Sequence, residues 1–289
     1  MDFIGNYEKA GKAPLLLSGE QTFNKNESCE YQDLEYPDDC IVDFDMRLID
    51  LFKEIDKKKL TLKMQIRQEY YRVKELLDGK RPSRMDLFTY MDDEIYRICV
   101  SGSHAKENPF QQYLDFLYEL GELSEDEQKL YAGIGREFIQ TIETTEMQKV
   151  YKMPILYSFY NHGNIRLAVT DEEVLESWKE FFDTGTNWKD FPNVNTYEDY
   201  KKVTDKQHLS KAKRMPIRFL KASGKGFFVE KDGYALALRD EIGDVVGNMA
   251  FGEQMGDVLG YRSLEYYRRR YKKIEVKGIK ADGKGRLLI

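Results

Sequence analysis

The sequence has few of the residues that equip a secreted, membrane or metal-binding protein. Its 289 residues include three cysteines, three histidines and two tryptophans. The cysteines are Cys29, Cys40 and Cys99, an odd number whose spacing fits neither a zinc site nor a disulfide framework. We therefore expect reduced thiols and a cytoplasmic location. No apolar run is long enough to span a bilayer and no signal peptide is visible, so we expect no membrane partner.

Motifs that bind phosphate or carry out hydrolysis are also missing. The chain has no Gly-x-x-x-x-Gly-Lys-Ser/Thr loop, no Gly-x-Gly-x-x-Gly turn, no His-Glu-x-x-His and no Gly-x-Ser-x-Gly elbow. The sequence His104-Ala105-Lys106 matches the start of a phospholipase-D-type motif, but Gln111 stands where an acid is required. We therefore predict no catalytic residue, no metal site, no cofactor and no enzymatic activity in this chain alone.

One acidic pattern is compatible with an alternative function, that of a metal-dependent nuclease. Asp38 follows Pro37, and Asp56-Lys57-Lys58 comes further along the chain. Metal-dependent nucleases place two carboxylates on one divalent cation and a lysine near the attacking water. They usually carry the Asp-x-Lys segment on a strand, whereas the periodicity here predicts the end of a helix. A solvated acidic face is the plainer interpretation, and an unrecognised metal-dependent nuclease is an alternative.

Hydrophobic periodicity predicts an α+β protein that is predominantly helical. Residues 1–40 are rich in turn-forming residues and predict an irregular linker. Residues 41–150 place apolar side chains every three or four positions, which predicts a helical domain with a possible helix-turn-helix. Residues 151–289 predict a smaller domain of β-hairpins and helices that ends in a basic helix over about 253–273.

Capping signals predict where several helices begin. Ser83 is followed three residues later by Asp86, and Thr170 by Glu173, which is the spacing of a capping box. Ser124 precedes a run of acidic residues that favours the first turn of a helix through the helix dipole.

Two hairpins are predicted in the second half of the chain. Residues 155–160 (ILYSFY) predict a strand, which a turn joins to an alternating strand over residues 165–169. Residues 226–238 predict a second hairpin, in which Asp232-Gly233 supplies the turn.

Positive charge is concentrated in two segments of an acidic chain. The formal net charge is −6, yet residues 201–226 carry about +8 and residues 261–289 about +7, so the rest carries about −21. Such asymmetry indicates a polyanionic partner, because basic faces attract nucleic acid even on an acidic molecule. The plainer interpretation is that these lysines are solvated surface residues that only keep the protein soluble.

The predicted nucleic-acid contacts lie at three places: a basic turn before the helix at Ser83, the 211–225 stretch and the last helix. They are Lys80, Arg81, Arg84, Lys211, Lys213, Arg214, Lys221, Lys225, Arg268, Arg269, Arg270, Lys272 and Lys273. The free backbone amides of a helix N-terminus suit a phosphate. Tyrosines interleaved with arginines suit bases and phosphates. An ordinary helical hairpin with a charged tip also explains the first place.

Two stretches near the start of the sequence are residues 2–7 (DFIGNY) and 14–19 (PLLLSG). They resemble the segment just after the last conserved motif of the second RecA-like domain in bacterial superfamily 2 helicases of the DEAD/DEAH-box class, in particular the large helicases associated with restriction and phage defence. Further stretches resemble the C-terminal accessory region of such helicases: residues 36–40 (YPDDC) with 44–45 (FD), 81–84 (RPSR), 108–110 (NPF), 143–145 (ETT), 151–154 (YKMP), 159–161 (FYN) and 266–267 (YY). They extend over nearly the whole chain.

The resemblance implies an accessory region without its ATP-dependent motor, either a fragment or a stand-alone relative. Such a region would bind single- or double-stranded DNA and position it for a motor domain or partner subunit outside this chain. The alternative is a protein-interaction platform in a defence or restriction complex. Aromatic side chains would anchor the partner in that case. The candidate anchors are Tyr113, Phe116, Tyr118, Trp178 and Trp188.

Overall fold

The structure is a computed structural model that describes residues 60–275, with the side chains of residues 60–270. It is mostly helical and contains a small antiparallel sheet, which confirms the predicted fold class. The α-helices are α1 Leu62–Leu76, α2 Arg84–Tyr90, α3 Asp93–Cys99, α4 Tyr113–Leu120, α5 Glu125–Ala132, α6 Ile134–Thr144, α7 Lys152–Tyr160, α8 Asp171–Asp183, α9 Tyr197–Lys201, α10 Asp205–Ala212, α11 Arg218–Ser223, α12 Gly243–Val246 and α13 Met249–Glu275. The strands are β1 Ala168–Val169, β2 Phe228–Val229 and β3 Leu236–Leu238.

Short helical turns complete the described chain. Those of 3₁₀ type are Gly102–His104, Pro109–Gln111, Asn161–Gly163, Asn187–Asp190 and Asp240–Ile242. A π-helical turn, Lys213–Ile217, contains Pro216 and joins α10 to α11. In the part of the chain that is described, no helix has the length and hydropathy that a membrane span requires.

The helix starts follow the capping signals of the sequence. Ser83 and Asp86 form the predicted box at α2, and Thr170 and Glu173 form the one at α8. Ser124 caps α5 and forms a box of its own with Glu127. Each cap satisfies backbone N–H groups that a helix leaves free, and such a cap is typically worth about 1 kcal/mol.

The predicted strand over residues 155–160 is wrong, because helix α7 occupies Lys152–Tyr160. Seven of its nine residues are buried, so no polar face marks the helical period in the sequence. A short apolar run of this kind does not distinguish a buried helix from a buried strand. The helix ends at Asn161, which adopts a left-handed conformation with φ of 42°.

The sheet has the strand order β1-β3-β2, with antiparallel neighbours. Phe228 pairs with Leu238, so the predicted hairpin over residues 226–238 is confirmed. Gly233 turns the chain with a φ of 81°, a value that glycine adopts without steric cost. Strand β1 lies within the predicted strand at residues 165–169 but pairs with β3, not with residues 155–160.

The last helix, α13, crosses most of the fold and packs against α2, α5, α6 and α7. It lies close to the predicted 253–273 and begins four residues earlier, at Met249. The described residues from Ile66 onward belong to one compact unit. Leu114, Phe138, Trp178 and Phe251 share one hydrophobic core, so side chains from both sides of residue 150 pack together. The predicted boundary at residue 40 lies outside the described residues.

Candidate nucleic-acid interface

Arg84, a predicted contact for nucleic acid, is completely buried between α2, α6 and α13. Its guanidinium donates to Glu143 at 3.0 Å and to Asp257 at 2.8 Å, and it lies 4.4 Å from the centre of the Tyr113 ring. Burial opposes the charge on Arg84, but the two carboxylates outweigh it and raise the pKa of the guanidinium. Arg84 is therefore a charged core residue that nucleic acid cannot reach.

The backbone at the start of α2 is also occupied. The N–H groups of Arg84 and Met85 donate to the two carboxylate oxygens of Asp257, at 3.0 and 3.2 Å. An anion does sit at this helix N-terminus, as the helix dipole favours. It is a carboxylate of α13, so the predicted phosphate position at this place is wrong.

Arg81 extends the same buried network, which we call the Arg84 network: Arg81, Arg84, Glu127, Glu143, Gln254 and Asp257. Arg81 donates to Glu127, whose side chain is 1% exposed, and Gln254 links Glu127 to Arg84 with bonds of 2.7 Å on each side. Lys80, in the turn before Arg81, is exposed. Of the three basic residues predicted in this turn, Arg84 is buried, Arg81 is 31% exposed and paired with Glu127, and Lys80 is exposed.

Several cations of the two basic segments are held by acids. Lys213 pairs with Asp171 at 2.6 Å, and Lys221 pairs with Glu230. Lys225 is exposed in the loop after α11, where its φ is 49°. Lys213 and Lys221 therefore pair with carboxylates on two different elements.

The arginines near the end of α13 face different sides. Arg268 pairs with Asp93 and lies over the rings of Phe88 and Tyr96. Arg269 pairs with Glu265 one turn earlier on the same helix. Lys272 and Lys273 continue the helix beyond the residues whose side chains are described.

Cations gather at one place, around Tyr151. We call this group the Tyr151 cluster: Lys149, Tyr151, Asp190, Lys211, Arg214 and Arg270. The ammonium of Lys211 lies 5.1 Å from the centre of the Tyr151 ring, and the Tyr151 hydroxyl donates to the backbone carbonyl of Asp190 at 2.6 Å. The structure thus brings the 211–225 stretch and the last helix together through residues that neither segment contains.

Asp190 is the only carboxylate that pairs with these cations in the described part of the chain. Its side chain is 1% exposed and pairs with Arg270, while the Lys149 ammonium is 3.9 Å away. Arg270 also donates to the Tyr266 hydroxyl at 3.2 Å. Arg214 is exposed on the π-helical turn. The Tyr151 cluster therefore holds four cations and one buried carboxylate, which pairs with Lys149 and Arg270.

Two lysines of the Tyr151 cluster have lowered pKa values, for which burial is the first cause and neighbouring cations are the second. Partial burial lowers the pKa of Lys211, and the nearby Arg214 and Lys149 lower it further. Partial burial also lowers the pKa of Lys149, with Arg270 as the second cause. A like charge disfavours the charged form of a group. The negative charge of a bound polyanion would offset this repulsion between the cations, so the repulsion favours binding of a polyanion.

Lys149 is the residue that sequence analysis missed. It lies between α6 and α7, outside both basic segments, and no charge run marks it. Tyr151 and Asp190 were also unmarked as partners of the basic residues, because 39 residues separate them along the chain. Only the fold brings them together.

The predicted aromatic anchors are mostly part of the core. Trp178 and Tyr113 are at most 1% exposed, so they cannot anchor a partner from the surface. Phe116 and Trp188 are half-buried. Tyr118 is 60% exposed and stacks on Tyr131, with ring centres 4.6 Å apart. One exposed stacked tyrosine remains from the predicted set.

The other residues with predicted chemistry do not assemble into a site within the described part of the chain. His104 lies within 3.9 Å of Glu107, an exposed local pair. Among the described residues, no group of three or more histidines, cysteines and acids is arranged to hold a metal ion. The acidic pattern of the nuclease alternative lies outside the described residues. Cys99 is buried, and burial raises the pKa of its thiol to about 12.

Comparison with protein-family models, with curated proteins and with solved structures finds no match to this chain. The helicase resemblance therefore stays a prediction, and the Tyr151 cluster is the candidate functional site.

Proposed function

We propose that this chain is a nucleic-acid-binding module whose contact surface is the Tyr151 cluster. The observation that supports it is a set of four neighbouring cations, Lys149, Lys211, Arg214 and Arg270, of which only Lys149 and Arg270 pair with a carboxylate among the described residues, the buried Asp190. Neutralising phosphates and releasing their counterions is the main source of affinity for nucleic acid that does not depend on base sequence.

The cluster suits phosphates better than bases. Tyr151 is only 6% exposed and Lys211 covers its ring, so this tyrosine is not available to stack on a base. Phosphate contacts position a protein on a strand and carry no direct sequence information. We therefore propose binding without sequence preference.

Two of the four cations, Arg270 and Lys211, are held in place before any ligand arrives. Asp190 and Tyr266 hold Arg270, and the Tyr151 ring supports Lys211. The π-helical turn Lys213–Ile217 carries Arg214, and such turns occur frequently at functional sites. Cations that are already ordered lose less side-chain entropy on binding.

In the setting that the helicase resemblance implies, this surface would hold DNA for a motor located outside the chain. The charge surplus supports the binding step of that proposal. The coupling to a motor rests on the resemblance alone.

The test is fluorescence anisotropy of labelled single- and double-stranded oligonucleotides over a series of salt concentrations. If most of the four cations contact phosphates, we expect log K to fall with log salt with a slope of about −3. A shallow slope near zero, or no binding at low salt, would contradict the proposal. The difference between the two oligonucleotides shows which strand form the module prefers.

A further inference from the structure

Two aromatic side chains lie at the surface beside the Tyr151 cluster, in the segment that follows α8. Trp188 is half-buried and Tyr197 is 37% exposed. Their ring centres are 5.8 Å apart and the ring planes meet at 52°. We call these two residues the Trp188 pair. Both keep solvent-accessible area, whereas Tyr151 is 6% exposed and covered by Lys211.

The fold ties the Trp188 pair to the cations of the Tyr151 cluster. Trp188 and Asp190 belong to the same 3₁₀ turn, Asn187–Asp190. Because a 3₁₀ helix rises about 2.0 Å per residue, the two residues are about 4 Å apart along its axis. Arg270 pairs with Asp190, and the Lys149 ammonium is 3.9 Å from the same carboxylate. The Trp188 pair therefore lies within one helical turn of the residue that these two cations contact.

The last three residues of this turn point in different directions, because successive side chains of a 3₁₀ helix are about 120° apart. Asp190 points into the protein, where it is buried. Lys189 is exposed, and its ammonium lies 5.8 Å from the centre of the Trp188 ring. Among the residues that the structure describes, no carboxylate pairs with Lys189. Lys189 thus adds a cation next to the Trp188 ring.

The ring of Tyr197 is ordered without being buried. Tyr200, which is 3% exposed, lies nearly parallel to Tyr197, with the ring centres 6.0 Å apart. Tyr200 also contacts Phe191 and His208, so it belongs to the interior of the protein. A ring that rests on a fixed neighbour loses little side-chain entropy when a base stacks on its exposed surface.

The acids beside Tyr197 are matched by lysines. Glu198 pairs with Lys201 at 3.7 Å, and Asp199 pairs with Lys202 at 3.4 Å. The ammonium of Lys201 also lies 4.7 Å from the centre of the Tyr197 ring. Because exposed ion pairs contribute little to stability, a phosphate can replace Glu198 as the partner of Lys201.

We infer that the Trp188 pair stacks on bases of a single-stranded nucleic acid whose phosphates contact the Tyr151 cluster. The inference rests on the proposed function and names its ligand more closely. Proteins hold single strands with aromatic side chains beside cations, and the stacking tolerates any sequence because every base has a π-face. In a duplex the bases stack on one another, so the rings reach bases only in a single strand.

The Trp188→Ala variant tests the stacking contact, by anisotropy on a single strand and on a duplex of the same length. We expect affinity for the single strand to fall about tenfold, because a stacking partner is lost. Affinity for the duplex should stay within about twofold. The salt slope on the single strand should not change, since a tryptophan neutralises no phosphate.

The matched control is Tyr118→Ala, which removes an exposed, stacked tyrosine from α4. This control should leave both affinities unchanged. Equal losses on the two strand forms in Trp188→Ala, or single-strand affinity equal to that of the wild type, would overturn the inference.

Intrinsic fluorescence reports stacking directly. The chain has two tryptophans and Trp178 is completely buried, so a base can contact only Trp188. We expect an unlabelled single strand to quench the emission with the affinity that anisotropy measures. Trp188→Phe keeps an aromatic ring and should bind the single strand without this quenching. Binding by the wild type with no quenching would contradict the stacking contact.

Tyr197→Ala keeps the test available if Trp188→Ala does not fold, since Trp188 packs partly against the core. Tyr197 is exposed, and we expect its loss to lower single-strand affinity about fivefold with the duplex unaffected. If both strand forms bind and neither aromatic variant loses affinity, the inference is wrong and the Tyr151 cluster stands. If neither strand form binds at low salt, the inference and the proposed function are both wrong.

Discussion

The Arg84 network and the Tyr151 cluster come from segments that look alike in the sequence, yet the fold treats their charges in opposite ways. In the first, Arg81 and Arg84 are matched by Glu127, Glu143 and Asp257 inside the protein. In the second, one buried carboxylate pairs with two of the four cations. The difference shows that a basic stretch of sequence indicates a binding surface only when the folded protein does not place carboxylates next to its cations.

The paired charges serve the fold. The Arg84 network joins α2 to α5, α6 and α13 across more than 170 residues of sequence. A buried charge that loses its partner is strongly destabilising, even where the intact pair contributes little net stability. The surplus cations of the Tyr151 cluster do not serve the fold, because the repulsion between like charges raises the free energy of the unbound protein.

The largest effect expected from this comparison is on stability. Arg84→Met leaves Glu143 and Asp257 without their buried cation, and we expect the free energy of unfolding to fall by about 3–5 kcal/mol. Arg214→Met removes an exposed arginine and should change it by less than about 0.5 kcal/mol. Urea unfolding followed by circular dichroism measures both. An Arg84 variant as stable as the Arg214 variant would contradict the buried network.

A smaller effect concerns pH. The pKa values of Lys149 and Lys211 are lowered, so both lose their charge at a pH below the ordinary lysine value of about 10.4. Binding needs the charged form, so nucleic-acid affinity should fall as the pH rises from 7 towards 9.5. The guanidinium group of arginine stays charged throughout this range.

The matched control for pH replaces both lysines with arginine. Lys149→Arg/Lys211→Arg keeps the charge, so we expect affinity at pH 7 to be preserved and the decline towards alkaline pH to disappear. Anisotropy at fixed ionic strength measures this. A decline of the same size in the arginine variant would show that the two lysines are not the groups that titrate.

The sequence predicted correctly those parts of the fold that depend on interactions between residues close together in the chain. The boxes at Ser83 and Thr170 and the hairpin around Gly233 need only neighbouring residues, and all three are present. The strand predicted at residues 155–160 failed because a helix buried on nearly all sides has no polar period to reveal it.

The site was predictable only in part for the same reason. Lys211, Arg214 and Arg270 are in the predicted set because they belong to charge runs. The partners that decide whether a predicted cation is buried or available are distant in sequence, as Asp257 is from Arg84, 173 residues away. No local pattern shows that Lys213 pairs with Asp171, whereas Arg214, the next residue, has no carboxylate partner among the described residues.

One measurement tests the central claim most directly: the affinity for a labelled oligonucleotide of two double variants that lose the same charge from the same segment. Lys211→Ala/Arg214→Ala removes surplus cations, and Lys213→Ala/Lys221→Ala removes cations that acids already neutralise. We predict that the first variant loses affinity by about tenfold or more at low salt, while the second stays within about twofold of the wild type. Equal losses in the two variants would mean that net charge alone governs binding, and they would contradict the Tyr151 cluster as the contact surface.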